Sequence, residues 1–174
     1  MEYKKIDLEV EQLLARLARR LSSDDITRIN DAYLLAREAH MEQRRKSGEP
    51  YIMHPVAVAK IVAEELRLGA NPIIAAFLHD VVEDTDYDFD DIEAEGFTAE
   101  VIEALRLLTH DKQTPYEEYI ERICRSGNRT AINVKMNDLR HNLARGREGN
   151  HLRYVEKHTR ALAFIEGYLS QLEN

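Results

Sequence analysis

The stretch from Ile73 to Thr85, IIAAFLHDVVEDT, constrains this chain more than any other. Apolar residues cover most of its helical surface, but His79, Asp80, Glu83 and Asp84 interrupt them. Because residues three and four apart share one face of a helix, these groups form one polar stripe on an otherwise buried rod. Buried charges are normally paired or bound to metal. We therefore predict that this helix is one wall of a metal site.

The composition favours an all-α protein. The chain has 174 residues, which is the size of one domain with a sizeable core, and we expect residues 1–174 to form a single domain. It contains no Trp, 7 Gly and 4 Pro, which favours helices over a sandwich or a barrel. The helical spacing of apolar residues predicts a bundle of about eight to ten helices.

The single cysteine, Cys124, excludes an internal disulfide and a Cys-rich zinc site.

Local signals predict where several helices begin and end. The second helix is expected over about 24–44. A proline directly after His54 suits the first turn of the third helix, which places His54 at a helix mouth. Asn71, also followed by proline, is predicted as the N-cap of the helix that carries His79. The final helix is expected from about His151 to Leu172.

The charge of the chain argues against a broad nucleic-acid surface. Lys and Arg number 24 and Asp and Glu number 32, which gives a formal charge of −8. Nucleic-acid binding relies on many cationic contacts to phosphate, so a small anionic ligand fits this balance better. The N-terminus has no apolar core of the signal-peptide type, and no window approaches the length of a membrane span. We expect a cytoplasmic protein with no membrane partner; the oligomeric state is left open.

Candidate metal ligands come from three separate helices. They are His54, the adjacent pair His79 and Asp80, and Asp138. Imidazole and carboxylate are good ligands for Mn, Fe and Zn, and a set of two His and two Asp leaves positions for water and substrate. A His-Asp doublet also arises by chance in many chains, so the doublet alone is weakly specific. The remaining histidines are not predicted as ligands: His40, His110, His141, His151 and His158.

Three longer strings are more specific than the doublet. They are HMEQRRKSGEPYIMHP over 40–55, AAFLHDVVEDT over 75–85 and KMNDLRHN over 135–142. Together they resemble the hydrolase domain of the RelA/SpoT family of HD-superfamily phosphohydrolases, from about Tyr33 to Asn142. The resemblance implies an HD-domain helical bundle that removes the 3′-pyrophosphate of (p)ppGpp, the alarmone of the stringent response, to give GDP or GTP. It also implies one Mn²⁺ per site, held by four residues that match the family's ligands: His54, His79, Asp80 and Asp138.

The same resemblance assigns catalytic and substrate-binding roles. Glu83 and Asp84 match the family's acidic pair, which activates or positions the attacking water. Glu83 is the better candidate for general base because it lies four residues from His79 on the ligand face, and Asp84 would orient the water or the metal shell. The resemblance further implies that Arg45 stacks on the base, Lys46 attracts phosphate, Ser47 helps to hold the nucleotide, Asn142 contacts the sugar or base, and Lys135 could meet phosphate.

The chain also departs from the longer members of that family. No synthetase domain follows the hydrolase-like segment, so the chain resembles the small stand-alone alarmone hydrolases of the metazoan SpoT-like type, and no synthesis is expected. The string KMNDLRHN differs from the usual residues around Asp138, which leaves the choice between (p)ppGpp and (p)ppApp open. Two alternatives also stay open. One is another HD nucleotide phosphohydrolase, such as a phosphatase of the NADPH 2′-phosphate, and the other is a non-catalytic nucleotide-binding module.

Overall fold

The protein is built from helices, which confirms the expected all-α class. The computed structural model describes residues 1–65, 68–148 and 152–174. Within these ranges no helix combines the length and the apolar character that crossing a membrane requires. The helical segments of the described residues are α1 (Glu2–Leu17), α2 (Ser23–Ala39), α3 (Met53–Glu64), α4 (Ala70–Leu78), α5 (Val81–Asp84), α6 (Phe89–Ala94), α7 (Ala99–Leu108), α8 (Tyr116–Arg125), α9 (Arg129–Glu148) and α10 (Leu152–Leu172).

Helix α4 lies at the centre of the bundle. Its side chains from Ile73 to Leu78 are all buried, with at most 1% of their surface exposed. It packs against α2, α3, α7 and α9. A helix that is apolar on every side must be covered on every side, and the sequence of α4 meets that condition. The polar residues that follow α4 are therefore delivered to the interior of the protein.

Side chains cap three of the helices at their N-terminal ends. Ser22, Thr98 and Asn128 each accept a hydrogen bond from the backbone N–H three residues later, at 3.1, 3.4 and 3.0 Å. Such caps satisfy backbone donors that have no partner inside the helix and typically stabilise it by about 1 kcal/mol. The short polar residues between apolar runs thus mark true starts of α2, α7 and α9.

The predicted second helix was too long. Helix α2 ends at Ala39, and the segment 40–52 turns back on itself through an isolated antiparallel bridge between Arg44 and Pro50. Within it the Arg45 N–H donates to the Glu49 carbonyl at 2.9 Å. Gly48 sits at the tip with φ +91°, a backbone conformation that glycine adopts without steric cost. This turn, rather than a helix, presents the basic residues 44–46.

The prediction of Asn71 as a helix cap was wrong. The N-cap of α4 is Gly69, and Asn71 lies in the first turn. Its side chain is engaged elsewhere, because it accepts from Arg28 at 2.6 Å and donates to Glu100 at 2.8 Å. These contacts join α2 and α7 to the start of α4. The predicted start of the final helix at His151 lies outside the described residues, and α10 is described from Leu152.

Candidate metal centre

Four side chains from different parts of the chain meet inside the bundle. His54 lies in α3, His79 and Asp80 lie between α4 and α5, and Asp138 lies in α9. One ligand atom from each lies within 4.8 Å of the others. His54 Nε2 is 2.8 Å from Asp138 Oδ1, and His79 Nε2 is 3.0 Å from Asp80 Oδ2 and 3.3 Å from Asp138 Oδ1. The structure thus brings together all four residues that the sequence predicted as ligands.

A break between α4 and α5 aims two neighbouring residues at this cluster. A continuous helix over Ile73 to Thr85 was predicted, but α4 ends at Leu78 and α5 begins at Val81. The break falls at Asp80, with φ −104° and ψ −1°. Successive residues of an unbroken helix point about 100° apart, so His79 and Asp80 would diverge. The turn at Asp80 lets both side chains face the same point.

His79 directs one ring nitrogen, Nε2, at the cluster. Its Nδ1 lies 2.7 Å from the Ala76 carbonyl oxygen, which can only accept, so Nδ1 carries the proton and donates. Its Nε2 is buried and faces the carboxylates of the cluster, 3.0 Å from Asp80 Oδ2 and 3.3 Å from Asp138 Oδ1. Metal-binding histidines are oriented in this way, with one nitrogen donating to a backbone carbonyl and the other facing the ion. His79 is therefore oriented as a metal ligand needs, with Nε2 directed at the cluster.

His54 is oriented by a second histidine that the sequence did not single out. The Nδ1 atoms of His54 and His141 are 2.7 Å apart, and the two rings are stacked with centroids 4.9 Å apart. Burial, together with the charges of His54 and Arg45, lowers the pKa of His141 to about 4. His141 is then neutral at pH 7 and can accept at Nδ1 a hydrogen bond from Nδ1–H of His54, which is the arrangement that a metal on His54 Nε2 would require. His54 Nε2 is left facing the cluster.

The two oxygens of Asp138 have different partners. Oδ1 faces the two ligand histidines and accepts from Asn142 at 3.0 Å, whereas Oδ2 accepts from Lys135 Nζ at 2.9 Å. Burial alone would raise the pKa of Asp138, but the Lys135 charge and hydrogen bonds from His54 and His79 hold it well below its usual range. Asp138 is therefore ionised. The Lys135 ammonium, predicted to meet phosphate, is already bound by this carboxylate.

Asp80 is held by Tyr51, which sequence reasoning also missed. The Tyr51 hydroxyl donates to Asp80 Oδ2 at 2.5 Å. Burial and the negative charge of Asp80 raise the pKa of Tyr51, so the phenol remains a donor at neutral pH. Tyr51 also leads into α3, because its carbonyl accepts from the His54 N–H at 2.9 Å. The available signal was its place in the string SGEPYIMHP, three residues before His54.

The charges of the cluster fit a divalent cation. Two carboxylates, Asp80 and Asp138, face one buried ammonium, Lys135, so the cluster lacks positive charge. Burial alone would lower the pKa of His79, but Asp80 and Asp138 raise it well above its usual value. A cluster that draws a proton onto a buried imidazole is one that a metal ion can neutralise by displacing that proton. Its nitrogen and oxygen donors suit a first-row divalent metal, which His54, His79, Asp80 and Asp138 would hold.

The two acidic residues predicted for catalysis lie in α5, the short helix that directly follows the ligand Asp80. Both Glu83 and Asp84 are exposed. Glu83 Oε1 accepts from the backbone N–H of His110 at 2.6 Å, so the loop after α7 fixes this carboxylate. Desolvation, together with the charges of Asp80 and Glu83, raises the pKa of Asp84 to about 6. One of the two acids is thus oriented by the main chain, and the other has a proton affinity near neutrality.

A groove adjoins the cluster and contains four of the five predicted substrate contacts. Its volume is about 1240 Å³. Arg45 lies across it, with Nη2 donating to Asn142 Oδ1 at 3.3 Å and the guanidinium 5.9 Å from the Tyr51 ring centre. Tyr51 also bonds Asp80 and Asn142 also bonds Asp138, so these two residues join the groove to the metal cluster. The predicted contacts that line the groove are Arg45, Lys46, Ser47 and Asn142.

The other described histidines have partners outside the ligand set. His40 Nδ1 lies 2.8 Å from Gln43 Oε1, and His110 Nε2 donates to the Thr114 carbonyl at 2.6 Å. His158 Nδ1 donates to the carbonyl of the residue four positions earlier at 2.7 Å. His151 lies outside the described residues.

Comparison with known proteins gives a family match and named relatives. The model of the HD domain family matches residues 32–144. The bifunctional (p)ppGpp synthase/hydrolase SpoT of Escherichia coli K12 is 55% identical over 73 residues, which cover 42% of this chain and 10% of SpoT. The guanosine-3′,5′-bis(diphosphate) 3′-pyrophosphohydrolase of Haemophilus influenzae is 37% identical over 118 residues, 63% of this chain and 17% of that protein. The chain therefore matches only a small part of these relatives.

A solved structure matches over a larger share. It is described as a metazoan ortholog of SpoT that hydrolyses ppGpp and plays a role in starvation responses. The TM-score is 0.58 at 28% identity, and the match covers 83% of this chain and 92% of that chain. The helical bundle described above is thus shared with a protein of similar length.

Proposed function

The chain belongs to the HD-domain family, and we propose that it hydrolyses the 3′-pyrophosphate of (p)ppGpp, or of the adenine analogue (p)ppApp, with one bound Mn²⁺ ion. The observation that best supports the proposal is that the groove and the metal cluster share residues. Tyr51 and Asn142 each belong to both, so a nucleotide on Arg45 would lie next to the ligand carboxylates. The names of the similar proteins supply the substrate class.

In the proposed reaction a water molecule attacks the phosphorus that is bonded to the 3′ oxygen of the nucleotide. The bond between that phosphorus and the 3′ oxygen breaks, so pyrophosphate leaves and the nucleotide keeps a 3′ hydroxyl as GDP or GTP. A bound divalent ion would lower the pKa of a water molecule and polarise the phosphoryl oxygen. Glu83 takes the proton from the attacking water, and the 3′ oxygen gains a proton as it leaves.

The residues around the ion and the nucleotide position the reactants. His54, His79, Asp80 and Asp138 would hold the ion, and Asp84 would orient the attacking water. The Arg45 guanidinium is planar and suits stacking on a base, while Lys46 and Ser47 on the same turn suit contacts to phosphate. Asn142 suits a contact to the sugar or base. Holding the reacting groups in place can by itself lower the barrier by several kcal/mol, on the order of 7–11 kcal/mol in favourable cases.

Residues 1–174 as one domain, and a cytoplasmic location, are part of the same proposal. The match to most of a solved chain of similar length supports the first.

Product analysis tests the proposal. Purified protein with Mn²⁺ is incubated separately with ppGpp, ppApp and NADPH, and the products are separated by anion-exchange chromatography. We expect pyrophosphate with GDP or its adenine equivalent, and loss of turnover in Asp80→Ala with the helical signal in circular dichroism retained. Release of inorganic phosphate from NADPH, with no cleavage of either alarmone, would assign a different phosphatase activity. Tight binding of ppGpp without turnover in several metals would indicate a non-catalytic nucleotide-binding module.

A further inference from the structure

Lys135 is a buried cation with a defined set of partners. Only 12% of its side chain is exposed. Its Nζ lies 2.9 Å from Asp138 Oδ2, and 5.3 and 5.8 Å from the ring centres of Tyr119 and Tyr116. A buried ammonium stays charged only where it is paired, and aromatic faces add to that pairing. The position is thus built to hold a positive charge beside Asp138.

That charge lies on the side of Asp138 away from the ligand histidines. Asp138 Oδ1 is the oxygen 2.8 Å from His54 Nε2 and 3.3 Å from His79 Nε2, whereas Lys135 occupies Oδ2. Carboxylates can bind a metal through one oxygen or through both. Because Lys135 takes Oδ2, only one oxygen of Asp138 is offered to the cluster. An ammonium beside a ligand carboxylate also repels a cation bound to that carboxylate.

We propose that Lys135 is a positioning residue that restricts Asp138 to one ligand oxygen and weakens the hold of the site on its divalent ion. Both effects keep positions on the ion open for water and substrate, as a catalytic metal site needs. The inference rests on the metal-binding part of the proposed function and does not depend on which nucleotide is cleaved. It differs from the phosphate contact expected for Lys135 from the sequence, since it assigns the ammonium to the protein.

Metal titration of Lys135→Met tests the inference. Methionine keeps the length of the side chain and its packing against Tyr116 and Tyr119 but removes the charge. Metal-free protein is titrated with Mn²⁺ by calorimetry at pH 8, and we expect the variant to bind Mn²⁺ at least about fivefold more tightly than the wild type. Lys135→Gln keeps an N–H donor without the charge, so it should show the part of the gain that comes from the charge, and it guards against a Met variant that does not fold. Lys60→Met is the matched control, because Lys60 pairs with Glu9 away from the cluster, and its Mn²⁺ affinity should equal that of the wild type.

Two further readouts separate positioning from substrate contact. Water-proton relaxation of the Mn²⁺ complex should show fewer exchangeable waters on the ion in Lys135→Met, because Oδ2 of Asp138 is freed. In ppGpp hydrolysis kcat should fall at least tenfold with KM within twofold of the wild type. Unchanged or weaker Mn²⁺ binding in both folded variants overturns the inference. A raised KM with unchanged kcat also overturns it, because that result would indicate that Lys135 contacts the phosphate of the substrate. If the wild type binds no divalent ion, the proposed metal centre is wrong and this inference is wrong with it.

Discussion

His54 and His141 are 87 residues apart in the sequence, yet their Nδ1 atoms lie 2.7 Å apart. The contact holds Nδ1 of His54 against His141 and leaves Nε2 facing the metal cluster. Partners of this kind, one step away from the ion, typically change metal affinity by about 10- to 100-fold when they are removed. His141 therefore contributes to the site although it offers no ligand atom to the cluster.

We expect His141→Ala to weaken Mn²⁺ binding by about 10- to 100-fold, since His54 loses the acceptor that orients its ring. The measurement is calorimetric titration of the metal-free variant, with circular dichroism as the check on folding. His158→Ala removes a histidine whose Nδ1 donates to the Tyr154 carbonyl and should leave the affinity unchanged. Wild-type affinity in a folded His141→Ala protein would show that the histidine contact is dispensable.

Glu83→Gln should reduce kcat for ppGpp by about 10²- to 10⁴-fold, the usual contribution of a general base. Glutamine can still accept from the His110 N–H, so the position of the side chain is kept while its proton acceptor is lost. Mn²⁺ affinity should therefore stay at the wild-type value. The control is Glu93→Gln, an exposed acid in α6, which should retain full activity. A Glu83→Gln enzyme with wild-type kcat would remove Glu83 from the mechanism.

Removal of the metal should lower stability as well as activity. A ligand that binds only the folded state at 100 times its Kd stabilises that state by about 2.7 kcal/mol. For a protein of this size that corresponds to a rise in Tm of about 5–10 °C on adding Mn²⁺ to chelator-treated protein, measured by differential scanning calorimetry. Asp80→Ala, which lacks one ligand, should show a much smaller rise. An equal rise in both proteins would mean that Mn²⁺ binds outside the described cluster.

The ligand set could be predicted from sequence because one apolar, buried helix leads directly into charged residues. His79 and Asp80 follow an apolar run that the structure buries completely, and a bound metal would neutralise the charge that is buried there. The break at Asp80 could not be predicted from local propensity, which carries no information about the contacts that Asp80 makes with Tyr51 and His54 in the folded protein. The pairing of Lys135 with Asp138 did have a signal. Residues three apart on a helix are neighbours, so this ion pair could have been predicted alongside the phosphate contact.

His141 and Tyr51 gave weaker signals. Each acts through a contact with a residue far away in sequence or on another element, His141 with His54 and Tyr51 with Asp80. Helical periodicity describes which residues share a face of one helix and carries no information about such partners. Their positions inside the recognised strings were the only local indication. Residues that orient ligands are therefore harder to predict than the ligands themselves.

A partly exposed ion pair between Asp7 of α1 and Arg37 of α2 should make the stability of the protein depend on pH. Asp7 accepts from the Tyr33 hydroxyl at 2.5 Å and from Arg37 Nε at 2.9 Å. Burial alone would raise the pKa of Asp7, but the bonds from Tyr33 and Arg37 outweigh it, so the pKa is lowered from 3.8. A carboxyl whose folded-state pKa lies below its unfolded value adds stability above the unfolded pKa, and that stability is lost as the pH falls through the folded pKa.

Asp7→Asn should therefore lower Tm at pH 7 by about 2–4 °C, which corresponds to about 1 kcal/mol for a partly exposed pair. The difference from the wild type should shrink as the pH falls towards 3, because the carboxyl is protonated first in the unfolded state, below its ordinary pKa of about 3.9, and only at lower pH in the folded state. Thermal melts followed by circular dichroism across that range measure it. In an Arg37→Met background the substitution should cost less, since the cation that favours the ionised Asp7 is gone. A Tm difference that stays constant down to pH 3 would mean that the ionised form of Asp7 contributes nothing to stability.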